Sequence, residues 1–314
     1  MHELPLNGIP GSKPIGAMAA FGLFRIVAAE TPFGDACLSW RLDSDWHPVL
    51  HTQESTTVDS VIEFLIHRQP KRSGARFLSW NDDIKCDPGQ FRNEVVQASE
   101  SEDYEVCLYF AAYGSDAITA KSTPDVKPTA FHMTAGQQRF LKSTRDLAES
   151  LDPGHGSSQR QTDEQRVAEV DLIWRETLVG PWTYRDSTHS LGWDPTTEAL
   201  HALCDRSPSA VGARAVRGAV WLAFESLPLF PSVPGQKQLL TTGFNQGGTD
   251  FTWPVWEPPI SIESLRYWLA APNIAASTPD MMRLHYCGMA ALFRAHCSRD
   301  GNGRGSFRNA VQIS

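Results

Sequence analysis

Residues 14–29, Pro-Ile-Gly-Ala-Met-Ala-Ala-Phe-Gly-Leu-Phe-Arg-Ile-Val-Ala-Ala, carry a single charge, Arg25, and constrain the fold more than any other stretch. An apolar run of this length that turns at helical spacing must be covered on nearly every side. Ser12 is positioned to cap it, and Pro14 suits a first helical turn, where a missing N–H costs nothing. Gly16, Ala19, Ala20 and Gly22 leave room for a second element to approach closely, while Phe21, Phe24 and Ile26 supply apolar contact. A secretory signal is disfavoured because no basic segment precedes the run and Arg25 lies inside it. The stretch is also too short for a membrane span. It reads as a core helix.

In the rest of the chain helical and extended signals occur in blocks and do not alternate as βαβα. A hairpin is expected from 36–42 and 46–51, then a helix over 56–66 followed by a basic loop. A short strand at 76–80 and helices over 88–99, behind Asp87 as cap, and 104–113 come next. Residues 131–133 read as extended, and Thr134 as the cap of a helix over 135–151. Residues 152–161, Asp-Pro-Gly-His-Gly-Ser-Ser-Gln-Arg-Gln, form the clearest linker. Helices are expected over 162–178, 210–227 and 261–271. Strands over 238–244 and 250–256 flank the turn 245–248, and a terminal hairpin joins 288–298 to 306–313. This is an α+β pattern of helices mixed with short antiparallel strands and hairpins in two subdomains: 1–151, a flexible linker at 152–161, and 162–314 with the terminal hairpin.

Composition narrows the chemistry. The 314 residues carry a formal net charge of −8, which disfavours a protein that coats free DNA by phosphate neutralisation alone. Six cysteines without a Cys-x-x-Cys pair suggest neither a zinc ribbon nor a disulfide framework, and fit a cytoplasmic setting. No phosphate-binding loop, nucleophile elbow or His-Glu-x-x-His occurs, and no cofactor is implied. Asp83-x-Lys85 matches half of a Mg²⁺-dependent nuclease site, in which carboxylates hold the metal and a lysine offsets developing charge. Asp300 to Gly305 mimics the start of a calcium loop, but Arg304 stands where an oxygen ligand belongs, so a glycine-rich turn is the better reading. Trp182, Tyr184, Trp193, Trp253 and Trp256 cluster near turns, where aromatics either close a core or stack on bases.

Local charge picks out three clusters against the acidic background. The first is Lys71, Arg72 and Arg76, with Lys13 as a further cation, suited to phosphate contact. The second is Gln137, Gln138 and Arg139 at the start of the helix expected behind Thr134, where free N–H groups favour an anion and glutamine can read a base edge. The third is Arg299, Arg304 and Arg308 on the C-terminal hairpin.

The N-terminal pattern L-N-G-x-x-G-x-x-P-I-G-x-x-A-A-F-G-L-F-R resembles the large-subunit proteins of type I CRISPR effector (Cascade) complexes, in particular the I-G branch, formerly I-U. The same group is similar at Leu38-Ser39-Trp40 with Trp46 to Leu50, at Met133 to Leu141, at Thr241 to Phe244, and at Phe251 to Trp256 leading into Ser261 to Arg266. The chain is short for a large subunit, and it is acidic. The resemblance implies a noncatalytic, cytoplasmic subunit of an RNA-guided antiviral surveillance complex. Such a subunit recognises the protospacer-adjacent motif and docks a helicase-nuclease. Its partners would be other effector subunits, guide RNA, target double-stranded DNA and the helicase-nuclease, with no membrane. The alternatives are the Mg²⁺-dependent nuclease on Asp83 and Lys85, and a purely structural assembly subunit.

Overall fold

Helix α1 (Pro14–Ala29) has 14 of its 16 residues buried, so the protein packs around it on all sides. A computed structural model describes residues 1–30, 33–121, 123–134, 138–155, 162–195, 214–236, 238–299 and 303–313. After α1 the helices follow in chain order as α2 (Val58–Ser73), α3 (Arg76–Ser79), α4 (Pro88–Glu100), α5 (Tyr104–Tyr113), α6 (Phe140–Ser150), α7 (Asp163–Leu178), α8 (Arg217–Glu225), α9 (Ile262–Ala270) and α10 (Met281–Tyr286). The sheets are small and antiparallel, which makes the fold α+β as the sequence pattern implies.

Strands β1 (His2–Pro5), β2 (Cys37–Leu42) and β3 (Trp46–Thr52) form one sheet in the order β1-β3-β2. Two-stranded ribbons come from β4 (Gly114–Thr119) with β5 (Val126–Pro128), and from β6 (Ser232–Pro234) with β7 (Leu239–Thr241). The last sheet is built on the long strand β9 (Met289–Arg299), which pairs with β8 (Asp250–Trp256), β10 (Gly305–Phe307) and β11 (Val311–Ile313). Trp256 Nε1 donates to the Leu38 carbonyl at 2.7 Å and Trp253 Nε1 to that of Gly11 at 2.9 Å, tying this sheet to the N-terminal one. Between them Phe21 of α1 stacks on Trp256 with centroids 6.0 Å apart and meets the Trp40 ring edge-on at 6.1 Å.

The small residues of α1 act as expected. A Cβ on Gly22 would collide with the Leu222 carbonyl of α8, and one on Gly16 with that of Pro10. One hydrophobic core therefore runs from Leu4 to Phe307, with α1 and α8 packed together at its centre. The expected division at 152–161 does not divide this core; residues 156–161 themselves lie outside the described part.

Several local expectations are corrected. Ser12 does not cap α1: the residue before the helix is Lys13, whose ammonium has no acceptor to offer, and Ser12 donates its hydroxyl to Asp45 Oδ2 at 2.7 Å. The basic segment is not a loop: α2 continues through it, because Arg68 and Arg72 extend the buried Val61 and Leu65 face. Residues 76–79 form a helical turn, since adjacent Phe77 and Leu78 are both buried, which alternation in a half-buried strand would forbid. Thr134 is not the cap of α6, which starts only at Phe140 behind Arg139; residues 135–137, the start of the expected helix, lie outside the described residues. The turn at 245–248 forms, with Gly248 N–H donating to the Asn245 carbonyl at 2.9 Å. The segments beside it pair only next to the turn, through the antiparallel Phe244–Phe251 bridge and the Asn245–Asp250 and Thr252–Gly243 hydrogen bonds; farther out β7 pairs β6, and β8 pairs the longer β9. The helix expected over 210–227 is described only as α8, 210–213 lying outside the described residues. Among the described residues no helix is long and apolar enough to cross a membrane.

Candidate nucleic-acid interface

Within the basic stretch 68–76, Arg68 and Arg72 face inward. Glu225, fully buried at the end of α8, accepts from Arg68 Nη1 at 2.8 Å, Arg72 Nε at 2.9 Å and the Tyr109 hydroxyl at 2.8 Å, and pairs with Arg25. Glu30 and Glu105 close the outer side, through Arg68 Nε and Arg72 Nη1 at 2.6 and 2.7 Å. Three arginines thus meet three carboxylates, drawn from α1, α2, α5 and α8 and the residue that ends α1. Burial alone would raise the Glu225 carboxyl, but Arg68, Arg72 and Arg25 outweigh it and hold the group well below the usual range. Arg72 is therefore a structural ion, not a phosphate ligand. Arg76 pairs with Glu94 at 2.9 Å, while Lys71 stays exposed. Lys13 donates to the Tyr184 hydroxyl at 2.9 Å and lies over its ring.

The second and third clusters come together. Gly305 N–H, at the start of β10, donates to the Met133 carbonyl at 2.9 Å, and both terminal nitrogens of Arg299 reach the His132 carbonyl at 3.3 Å. A third segment sits between them. Gln138 Nε2 donates to the Ser190 carbonyl at 3.0 Å, and the Phe307 N–H to that of Gly192 at 3.0 Å. Gly192 adopts φ +81°, and any Cβ there would strike the Gly305 carbonyl, so the approach requires glycine. Arg139, Arg299, Arg304 and Arg308 are all exposed. Gln137 and residues 300–302 lie outside the described residues.

A rigid base supports the edge. Phe131 is buried among Phe244, Phe251 and Phe307 at 4.9, 5.1 and 6.4 Å, and its carbonyl accepts from Trp193 Nε1 at 2.9 Å. Trp193, Trp253 and Trp256 are thereby core residues closed to stacking, and Trp182 and Tyr184 are half-buried against each other. Lys127 on β5 joins the patch: burial lowers its ammonium pKa, and the neighbouring charges of Lys121 and Arg299 lower it further. Cation next to cation, with Arg299 held only by carbonyl oxygens among the described residues, marks a positive edge on an acidic protein.

Of the two residues of the nuclease reading, Lys85 is exposed and Asp83 is engaged with a histidine. Asp83 is buried and accepts from His132 Nε2 at 2.7 Å. Burial would raise its carboxyl, but the His132 hydrogen bond and charge outweigh this and lower it. Among the described residues no group of three His, Cys, Asp or Glu side chains is placed to hold a metal ion. No protein-family model, curated protein or solved structure matches the chain.

Proposed function

We propose that this protein is a noncatalytic subunit of a type I CRISPR RNA-guided surveillance complex that contacts target DNA through the edge formed by β10, the end of β9, the 132–139 segment and Lys127. The observation that carries the reading is that Lys127 lies within charge range of Lys121 and Arg299, next to the 132–139 and β10 segments that carry the exposed Arg139, Arg304 and Arg308. Arginine and lysine on a rigid base hold phosphates and fix register, while guide pairing supplies sequence selectivity. Recognition of the protospacer-adjacent motif and docking of the helicase-nuclease are the further roles the resemblance implies, with guide RNA and the other effector subunits as partners.

The test begins with the tagged chain purified from its host. Repeat-derived guide RNA and backbone subunits should accompany it. In that complex, Arg299→Glu with Arg304→Glu should weaken target-DNA binding at least ~10-fold. The dependence of log K on log salt should flatten by about one unit for every phosphate no longer held. Unchanged affinity and salt slope would leave the protein as an assembly subunit and overturn the DNA contact.

A further inference from the structure

Helices α9 and α10 meet around a cavity of about 320 Å³ lined by Tyr267, Trp268, Asn273, Arg283, Leu284 and Cys287, with Ala271 and Pro272 at the rim. Its walls are built. Leu265 and Leu284 anchor the two helices in the core, and Trp268 packs edge-on against Tyr267 with centroids 5.3 Å apart. Asn273 and Asp280 clasp the connecting loop through two hydrogen bonds, 2.9 and 3.4 Å long. Asp280 also caps α10 by accepting from the Arg283 N–H at 3.0 Å.

The exposed chemistry here is unusual for a protein surface. Tyr267 is 68% exposed, Met282 73% and Tyr286 87%, although aromatic rings are ordinarily covered. Among the described residues Arg283 is the only charged one that lines the cavity, and Arg266, exposed, precedes Tyr267 on α9. The one acid on α9 is Glu263, a full turn earlier. An aromatic wall beside a guanidinium suits a flat, π-faced ligand that carries an anion. The volume lies at the small end of ligand pockets, roughly 300–1,000 Å³, which fits one nucleotide better than a peptide segment.

We infer that the α9–α10 cavity holds one unpaired nucleotide of a single strand, its base stacked on Tyr267 and its phosphate on Arg283 or Arg266. The inference deepens the proposed nucleic-acid role, on which it rests, by adding a base-dependent contact to a charge-dependent one. Stacking needs a base; the β9–β10 edge needs only phosphate. That difference separates the two experimentally.

The full-length chain is titrated against labelled oligothymidylate, an abasic strand of equal length and a duplex, with Trp268 emission as a second signal. Wild type should bind oligothymidylate more tightly than the abasic strand and quench the tryptophan. Tyr267→Ala should cost about 10-fold for oligothymidylate and leave abasic and duplex binding unchanged, with Tyr267→Phe close to wild type. Arg283→Ala should weaken both single strands. Equal binding of the base-bearing and abasic strands by wild type, or no effect of Tyr267→Ala, overturns the nucleotide pocket. If binding still falls in Arg299→Glu with Arg304→Glu, the charged edge stands without the pocket. Loss of a protein subunit from the purified complex in Tyr267→Ala, with oligothymidylate binding intact, overturns it in favour of a protein contact.

Discussion

Replacing Glu225 by glutamine should destabilise the protein by about 3–5 kcal/mol, read as a lowered denaturant midpoint at neutral pH, because three arginines would be left buried without their shared counter-charge. Glutamine keeps the shape and a carbonyl acceptor, so the loss reports charge. Glu105, 40% exposed at the outer edge of the same network, should give about 1 kcal/mol or less on the same change, since water screens it. The network also sets an acid limit. The folded Glu225 carboxyl lies below its ordinary value of 4.5, so its contribution is complete above that pH and is lost as pH falls toward the folded value. Wild-type stability should therefore drop below about pH 4.5 by more than that of Glu225→Gln, which has no proton to gain there. Parallel acid curves for the two proteins would show that the buried carboxylate does not govern acid unfolding.

Gly22→Ala should be nearly as damaging, at about 3 kcal/mol, although it adds one methyl group to a helix that alanine otherwise favours. The new Cβ would collide with the Leu222 carbonyl, and a backbone oxygen cannot rotate away. Either α1 and α8 separate, loosening the Arg25–Glu225 pair between them, or α8 deforms. Gly74→Ala provides the internal comparison. Nothing lies within 4 Å of a Cβ there and φ is −91°, so stability should stay level or rise by roughly 0.4–1 kcal/mol. If both variants melt alike, the close helix approach is not what requires glycine at 22.

The sequence carries much of this architecture. The apolar period of α1, the Asp87 cap of α4 and the turn residues before β10 are local signals, and all three elements form where those signals stand. Arg299, Arg304 and Arg308 of the third basic cluster are exposed, while residues 300–302 between the first two lie outside the described residues. Residues 68–76 mislead when charge is counted along the chain and not by face. Val61, Leu65, Arg68 and Arg72 recur at helical spacing, which puts both arginines on the buried side. Their partner is also marked. Arg25 is the single charge of α1 and Glu225 the single acid of α8, and a charge within so apolar a helix has to find its opposite inside. The α9–α10 cavity leaves no such trace. Tyr267 and Trp268 are adjacent residues of similar chemistry, and only tertiary packing leaves the first 68% exposed while half-burying the second.

The Arg25–Glu225 pair joins residues 200 positions apart, and the Trp253–Gly11 and Trp256–Leu38 bonds span 242 and 218. On a ribosome adding about 5–20 residues per second, the first helix would emerge roughly 10–40 s before the residues that cover it. For that interval Trp40, Glu105 and Tyr109 can meet the helix, but Glu225 and the Trp256 ring that complete its cover are still missing. Folding of this protein is thus a late, closing event in which the last strands lock the first helix in place, and the nascent N-terminus is the part most exposed to chaperones and to misassembly.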